Sequence, residues 1–234
     1  MNAWVRTLWL ALAGTANAFA DRLEAIGRLL RAAIALGRDL RPAAPDRLAA
    51  PVTASSTPAY ETISLDLSLV IEDAKGERAT LTRRQRLRCD AGRPSLVREL
   101  VWGEGRQLVR YRAQGARRVG LRAEGSKRAV LLEPADATGA RGSSVITSRR
   151  VIRGGFATAQ EYCEAFLERP TERLRFAVLF PVTRPPRTAW LVLAAREEIL
   201  RTVPVRYGAD GRARLRCSLR APLVGMTYSL RWTW

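Results

Sequence analysis

The spacing of apolar residues changes once along the chain, near residue 60, and this change limits the folds that the sequence can adopt. Before it, apolar residues recur every three or four positions through residues 2–40, as on one face of a helix. After it, single polar residues separate Ile63, Leu65 and Leu67, which is the period of a half-buried strand. The sequence therefore predicts an N-terminal helix followed by a mainly β domain.

The N-terminal pattern alternates steps of four and three residues, which is the a/d seam of a coiled coil. Such a seam is buried only against another helix or an apolar surface. We therefore predict that this long amphipathic α-helix self-associates, docks on a protein partner or lies in a membrane interface. Packing on the chain's own β domain is the alternative. The predicted association face of the helix consists of Val5, Trp9, Leu12, Phe19, Leu23, Ile26 and Leu30.

The first residues also have features of a signal peptide. Arg6 precedes a short apolar run from Leu8 to Ala13, and the small residues that end at Ala18 suit cleavage after that position. Against cleavage, the heptad seam continues through this point without a change of phase. We therefore expect a cytoplasmic protein, free or associated with a membrane, and keep an exported protein with a cleaved signal peptide as the alternative.

A proline-rich segment separates the helix from the β domain. Proline has no N–H donor and a fixed φ, so prolines at this density prevent both helix and sheet and produce a semi-extended tether. The sequence thus divides into a helix at 1–40, a Pro/Ala-rich linker at 41–59 and a β domain at 60–234. The prolines of the linker are Pro42, Pro45, Pro51 and Pro58.

Turn signals recur between short alternating segments throughout the β domain. This pattern predicts an antiparallel β-sandwich of about 10–11 short strands rather than a sheet of alternating strands and helices. We expect one short helix within it, because Thr158 and Glu161 have the spacing of a capping box. The residues that follow, Ala159–Glu168, suit a helix that ends before Pro170.

The net charge of +18 at pH 7 indicates an anionic partner, such as nucleic acid or an anionic membrane surface. Of the 40 basic residues, only Lys75 and Lys127 are lysines, and guanidinium groups suit bidentate contacts with phosphate or carboxylate. Two predicted strands carry arginine at every second position, which places each set on one face at a spacing of about 6.6–6.8 Å. These candidate anion-binding residues are Arg84, Arg86, Arg88, Arg212, Arg214 and Arg216.

The sequence offers little support for catalysis or metal binding. It contains no histidine, which excludes Ser-His-Asp and Cys-His mechanisms and most zinc sites. Its carboxylates are dispersed, and both lysines lie in predicted turns. Cys89, Cys163 and Cys217 are widely separated, so we expect buried apolar side chains rather than metal ligands. We therefore predict no enzymatic activity, no cofactor and no bound metal.

Together these features favour a non-catalytic binding or adaptor protein. The helix would provide self-association or docking, and the basic β-sandwich would bind an anionic partner. One alternative is a nucleic-acid-binding protein that contacts the phosphate backbone without sequence preference, because no aromatic residue lies among the arginines to stack on bases. The other alternative is an exported envelope protein.

Overall fold

A computed structural model describes residues 60–89, 96–135 and 142–234. The predicted N-terminal helix, its association face and the linker lie outside these residues. The described part contains fourteen strands, and its helical structure is one 3-10 turn at Ala194–Arg196. The prediction of a mainly β domain is thus confirmed. Within the described residues, no helix combines the length and the apolar character needed to span a membrane.

The strands differ in length from two to twelve residues. In chain order they are β1 Tyr60–Ile71, β2 Arg78–Cys89, β3 Val97–Val101, β4 Arg106–Gln114, β5 Ala116–Glu124, β6 Lys127–Pro134, β7 Gly142–Arg153, β8 Gln160–Phe166, β9 Thr171–Leu179, β10 Thr188–Leu193, β11 Glu198–Thr202, β12 Arg206–Tyr207, β13 Ala213–Arg220 and β14 Thr227–Thr233.

The strands form three sheets instead of the two expected for a simple sandwich. Seven strands lie in the order β12-β13-β9-β1-β2-β7-β4. A four-stranded sheet has the order β11-β10-β14-β8, and a three-stranded sheet has the order β3-β6-β5. Neighbouring strands are antiparallel, with the exception of β1 and β9, which are parallel. The prediction of about 10–11 strands was therefore too low, because short strands such as β12 carry too few residues to show a period.

Alternation along each strand decides which face of the seven-stranded sheet is buried. In β1, Leu65, Leu67 and Leu69 are buried, whereas Asp66 and Ser68 lie on the opposite face. Two apolar clusters cover the buried face, which we call the inner face. The larger cluster joins it to the four-stranded sheet, and the smaller cluster joins it to the three-stranded sheet. The smaller cluster consists of Tyr60, Leu87, Val97, Val101, Val130, Leu132 and Ile146.

The short helix expected at Ala159–Glu168 is wrong, because this segment forms strand β8. Cys163 and Ala165 are buried at alternate positions, and β8 pairs with β14 along its whole length. The capping contact nevertheless exists: the Thr158 backbone N–H donates to Glu161 Oε1 at 2.6 Å. One half of the capping box thus forms in an extended chain, and burial of the alternate side chains outweighs the local helical signal.

Candidate anion-binding face

Both predicted arginine stripes lie on the outer face of the seven-stranded sheet. Strands β2 and β13 are three strand spacings apart, which is roughly 14 Å. Arg84 lies in register with Asp66 of β1, and Arg216 lies in register with Ala177 of β9. Asp66 alternates with the buried leucines of β1, so these arginines lie on the face opposite the apolar clusters. The structure therefore combines two sequence-distant stripes into one surface.

Other strands add arginines to the same face. Cross-strand register places Arg175 of β9 beside Asp66, and Arg149 of β7 beside Thr82 of β2. These residues were missed in the sequence because their contribution depends on strand order, which local periodicity does not reveal. We call the resulting surface the outer arginine face. It consists of Arg84, Arg86, Arg88, Arg110, Arg112, Arg149, Arg173, Arg175, Arg206, Arg214, Arg216 and Arg220.

A few carboxylates neutralise part of the outer arginine face. Arg88 contacts Glu61 at 3.0 Å and Glu172 at 3.3 Å, and Arg175 lies 3.8 Å from Asp66. Exposed ion pairs of this kind contribute little to stability, because water and salt screen them. The other nine arginines of the outer arginine face form no ion pair within the described residues and therefore keep their charge available for a ligand. Those that belong to the predicted stripes are Arg84, Arg86 and Arg216.

Arg212 differs from the rest of its predicted stripe. Its guanidinium donates to the backbone carbonyls of Phe180 at 2.8 Å and Ile71 at 3.3 Å, so it secures strand ends. The next residue of the stripe, Arg214, contacts Asp210 at 2.8 Å. Partial desolvation raises the pKa of Asp210, but hydrogen bonds from Arg212 N–H and the Arg214 side chain outweigh it and leave this pKa below its ordinary value.

A second polar group, on the inner face, was not predicted. The buried carboxylate of Glu99 accepts hydrogen bonds from Ser148 Oγ at 2.6 Å, Tyr111 Oη at 3.0 Å and Arg150 Nη1 at 3.1 Å. Arg83 Nη1 lies 3.8 Å away. One feature of the sequence indicated this group: a charged residue occupies a position that the alternation assigns to the apolar face of the strand. Arg83 has such a position, between Leu81 and Leu87. We call these five residues the Glu99 cluster.

Burial governs the proton affinities within the Glu99 cluster. Desolvation lowers the pKa of Arg150, and the nearby Glu99 carboxylate partly offsets this effect. Desolvation raises the pKa of Tyr111, and the negative charge of Glu99 raises it further. Tyr111 is thus a neutral hydrogen-bond donor. Within the described ranges, no group of three or more His, Cys, Asp or Glu residues is placed to hold a metal ion.

Comparison with known proteins gives a partial structural likeness. No family model and no curated protein matches the chain. The M1 zinc metallopeptidase from Deinococcus radiodurans gives a TM-score of 0.39 at 11% identity, over 74% of this chain and 42% of that chain. Yeast LTA4 hydrolase in complex with bestatin gives 0.42 at 9% identity, over 74% of this chain and 28% of that chain. The chain thus spans less than half of either structure.

These comparisons contradict the prediction that the chain has no enzymatic activity, because the similar structures are those of a metallopeptidase and a hydrolase. We therefore withdraw that prediction. At 9% and 11% identity and TM-scores below 0.5, the likeness assigns no activity, substrate or metal to this chain.

Proposed function

We propose that the β domain binds an anionic partner through the outer arginine face, as the docking part of an adaptor protein. One observation carries this proposal: the arginines of β2 and β13 share a face of one sheet, and β9 adds Arg173 and Arg175 between them. The face therefore presents a two-dimensional array of guanidinium groups, in which two strands separated in sequence contribute to the same contact surface.

The energetics of the array favour an anion. Neighbouring guanidinium groups on one strand are about 6.6–6.8 Å apart, and two unit charges at this distance repel by about 0.6 kcal/mol in water. An anionic partner replaces this repulsion with attraction and releases counterions. The Debye length is about 8 Å at physiological salt, so the array acts only at short range. Binding through this face is therefore expected to weaken steeply as salt increases.

Nucleic acid is the second candidate for the partner. Guanidinium groups make bidentate contacts with phosphate, and nine arginines of the face have no carboxylate partner among the described residues. The outer positions of the described strands of this sheet carry no aromatic side chain that could stack on a base. Contact would therefore involve the phosphate backbone, with little preference for sequence.

A charge-matched pair of variants tests the proposal. The first replaces Arg84, Arg86 and Arg216 by glutamine. The control replaces three exposed arginines of the three-stranded sheet by glutamine, which changes the net charge equally. The control set is Arg118, Arg122 and Arg128. Binding to fluorescent random duplex DNA and to polyglutamate is measured by anisotropy at about 50, 100 and 200 mM salt.

The proposal predicts that the first variant loses affinity while the control stays close to wild type. If nucleic acid is the partner, duplex DNA binds, and the slope of log affinity against log salt falls by about 3 in the first variant. Preferential binding to polyglutamate would favour an acidic protein surface instead. Equal losses in both variants would show that net charge alone acts, and would refute a specific role for the face.

The helix predicted at 1–40 would complete the proposed adaptor by adding self-association or docking. Replacement of Leu23 and Leu30 by aspartate would place charge on the predicted association face. Analytical ultracentrifugation of the full chain then measures whether oligomers are lost. Sequencing of the native N-terminus addresses the exported alternative, since a chain that begins at Phe19 indicates cleavage and one that retains Met1 or Asn2 does not.

A further inference from the structure

A depression of about 650 Å³ lies on the outer arginine face, over the middle of β1, β9 and β13. Pockets that bind small ligands measure about 300–1,000 Å³, so this one has room for a molecule of that kind. Two small side chains stand side by side at its centre, because Ser68 of β1 pairs with Ala177 of β9. Longer side chains on the same face surround these two positions and form the sides of the depression.

Strand register brings arginines from two strands to the depression. Arg175 of β9 lies between Asp66 of β1 and Ser218 of β13. In the next row, Arg216 of β13 lies beside Ala177 of β9. Arg175 and Arg216 are therefore diagonal neighbours on one face, about 7–8 Å apart at the backbone. Side chains as long as arginine can reach a single ligand from both positions.

A third arginine reaches the depression from the four-stranded sheet. Arg201 of β11 lines the side next to β13, where its Nη2 donates to the backbone carbonyl oxygen of Ser218 at 2.6 Å. This contact holds the guanidinium close to the row that contains Arg175. A guanidinium has five N–H donors, so this hydrogen bond leaves others for a ligand.

The depression is positively charged. Its lining contains three arginines and one acidic residue, Asp66, which gives a net charge of +2. Asp66 lies 3.8 Å from Arg175, whereas Arg201 and Arg216 form no ion pair within the described residues. A phosphate monoester carries a charge of about −1.5 to −2 at pH 7 and therefore matches the site. Each internal phosphate of a nucleic acid carries one negative charge and would leave the site partly unbalanced.

The lining also contains groups that can bind hydroxyl groups. Ser68, Thr202 and Ser218 are exposed and carry hydroxyls that both donate and accept hydrogen bonds. The Asp66 side chain is 27% exposed, and its carboxylate accepts. Because Asp66 Oδ1 is buried, a ligand would contact Oδ2. The site thus combines cationic donors for a phosphate with acceptors for the rest of a hydroxylated molecule.

We propose that this depression binds the phosphate monoester of a polyhydroxyl compound, such as a sugar phosphate. The guanidinium groups of Arg175, Arg201 and Arg216 would donate to the phosphate oxygens. Asp66 would accept a hydrogen bond from a hydroxyl of the ligand. The inference rests on the proposed function, because Arg175 and Arg216 belong to the outer arginine face, and it adds to that face a discrete site for a small molecule.

Isothermal calorimetry of the full chain with glucose 6-phosphate, inorganic phosphate, dimethyl phosphate and glucose tests the proposal. We expect glucose 6-phosphate to bind about tenfold more tightly than inorganic phosphate, because its hydroxyls add a hydrogen bond to a carboxylate. Dimethyl phosphate, a singly charged diester, should bind more weakly than either, and glucose should not bind measurably. No saturable binding of glucose 6-phosphate, or equal affinity for it and for inorganic phosphate, would overturn the proposal.

Two arginine variants with the same change in charge locate the binding. Arg201→Gln should weaken the binding of glucose 6-phosphate at least fivefold, because it removes a charged donor from the depression. Arg86→Gln is the control, since Arg86 lies on the outer arginine face outside the lining and donates one hydrogen bond, to Ser143 at 3.4 Å. It should leave binding within twofold of wild type. Equal losses in the two variants would refute the site.

A variant that fills the depression tests the site without a change in charge. Ala177→Leu places a larger side chain at the centre, whereas Thr147→Leu does so on β7, outside the lining. Circular dichroism first shows that both variants are folded. Loss of glucose 6-phosphate binding in the Ala177→Leu variant, with wild-type affinity in the Thr147→Leu variant, supports the site. Wild-type affinity in both variants contradicts it.

Binding of duplex DNA and polyglutamate to the same samples separates this inference from the proposed function. If these polymers bind through Arg84, Arg86 and Arg216 but glucose 6-phosphate shows no saturable binding, the sugar phosphate site alone is refuted. If glucose 6-phosphate binds in a manner that depends on Arg201, while replacement of those three arginines leaves polymer binding unchanged, the proposed function is refuted and the site is supported.

Discussion

Arg150 Nη1 donates a hydrogen bond of 3.1 Å to Glu99 Oε1, and both side chains are at least nine-tenths buried. This pair holds β7 of the large sheet against β3 of the three-stranded sheet. The pair therefore links the two sheets. The Glu99 carboxylate also accepts hydrogen bonds from Tyr111 and Ser148. Removal of the Glu99 carboxylate leaves the Arg150 guanidinium buried without its counterion.

We expect Glu99→Ala to lower the free energy of unfolding by about 3–5 kcal/mol, the range observed when one partner of a buried ion pair is removed. Urea denaturation followed by tryptophan fluorescence measures the change. Glu133→Ala is the control, since it breaks the exposed pair between Arg117 and Glu133. That control should cost less than about 1 kcal/mol. Similar losses in the two variants would show that Glu99 does not support a buried charge.

The pH dependence of stability should differ in sign between two glutamates. Burial raises the pKa of Glu161 above its usual 4.5, so its protonated form favours the fold. The stability it contributes is complete below about pH 4.5 and is lost as pH rises through the raised pKa. A hydrogen bond from Arg231 lowers the pKa of Glu197, so the opposite holds: its contribution is present above pH 4.5 and is lost as pH falls.

Glutamine substitutions at these two positions measure the effect, with urea midpoints compared between pH 4 and pH 7. Relative to wild type, Glu161→Gln should gain stability as pH rises, because the neutral amide removes the cost of burying a charge. Glu197→Gln should lose stability relative to wild type over the same interval. Parallel trends in the two variants would contradict the assigned directions.

Local patterns in the sequence predicted much of the fold. Alternation from Leu65 to Leu69 fixed the buried face of β1, because a strand with one buried face must repeat every two residues. The same rule placed Arg84 and Arg216 on the polar faces of their strands. Alternation could not show that the two arginine stripes lie on one face of the same sheet. That arrangement depends on the parallel pairing of β1 with β9, whose residues are more than a hundred positions apart.

The candidate sites differ in how well local rules describe them. The arginine stripes were visible because each lies on one strand. The Glu99 cluster requires Arg83, Glu99 and Arg150 to meet from three strands, so only charged residues in an apolar phase hint at it. At β8 the local signal was misleading. Thr158 and Glu161 make the contact typical of a helix start, yet pairing with β14 decides the conformation.

Cys163 should be unreactive in the folded protein. Burial raises the pKa of its thiol to about 12, although the nearby Arg150 lowers it in part. At pH 8 only about one thiol in ten thousand is then ionised, compared with roughly a quarter for an ordinary cysteine. Iodoacetamide labelling followed by peptide mass spectrometry should find the Cys163 peptide unmodified under native conditions and fully modified in urea. Rapid native labelling would contradict this burial.

Gly76 and Gly125 offer a matched test of close packing at a turn. Both have positive φ, 71° and 60°, where a side chain is strained. A Cβ at Gly76 would lie 1.8 Å from the Phe156 carbonyl oxygen, whereas a Cβ at Gly125 meets nothing within 4 Å. Gly125→Ala therefore isolates the backbone strain, expected to cost about 1–2 kcal/mol.

Gly76→Ala carries this strain and a collision with backbone that cannot move aside. We expect it to cost about 1–3 kcal/mol more than Gly125→Ala, the range for an overpacked site. The turn is tied to Phe156 by a hydrogen bond from its N–H to the Gly76 carbonyl at 3.2 Å, so the collision would also disturb the segment before β8. Thermal and urea unfolding measure both variants, and equal costs would show that the Gly76 turn does not pack closely against Phe156.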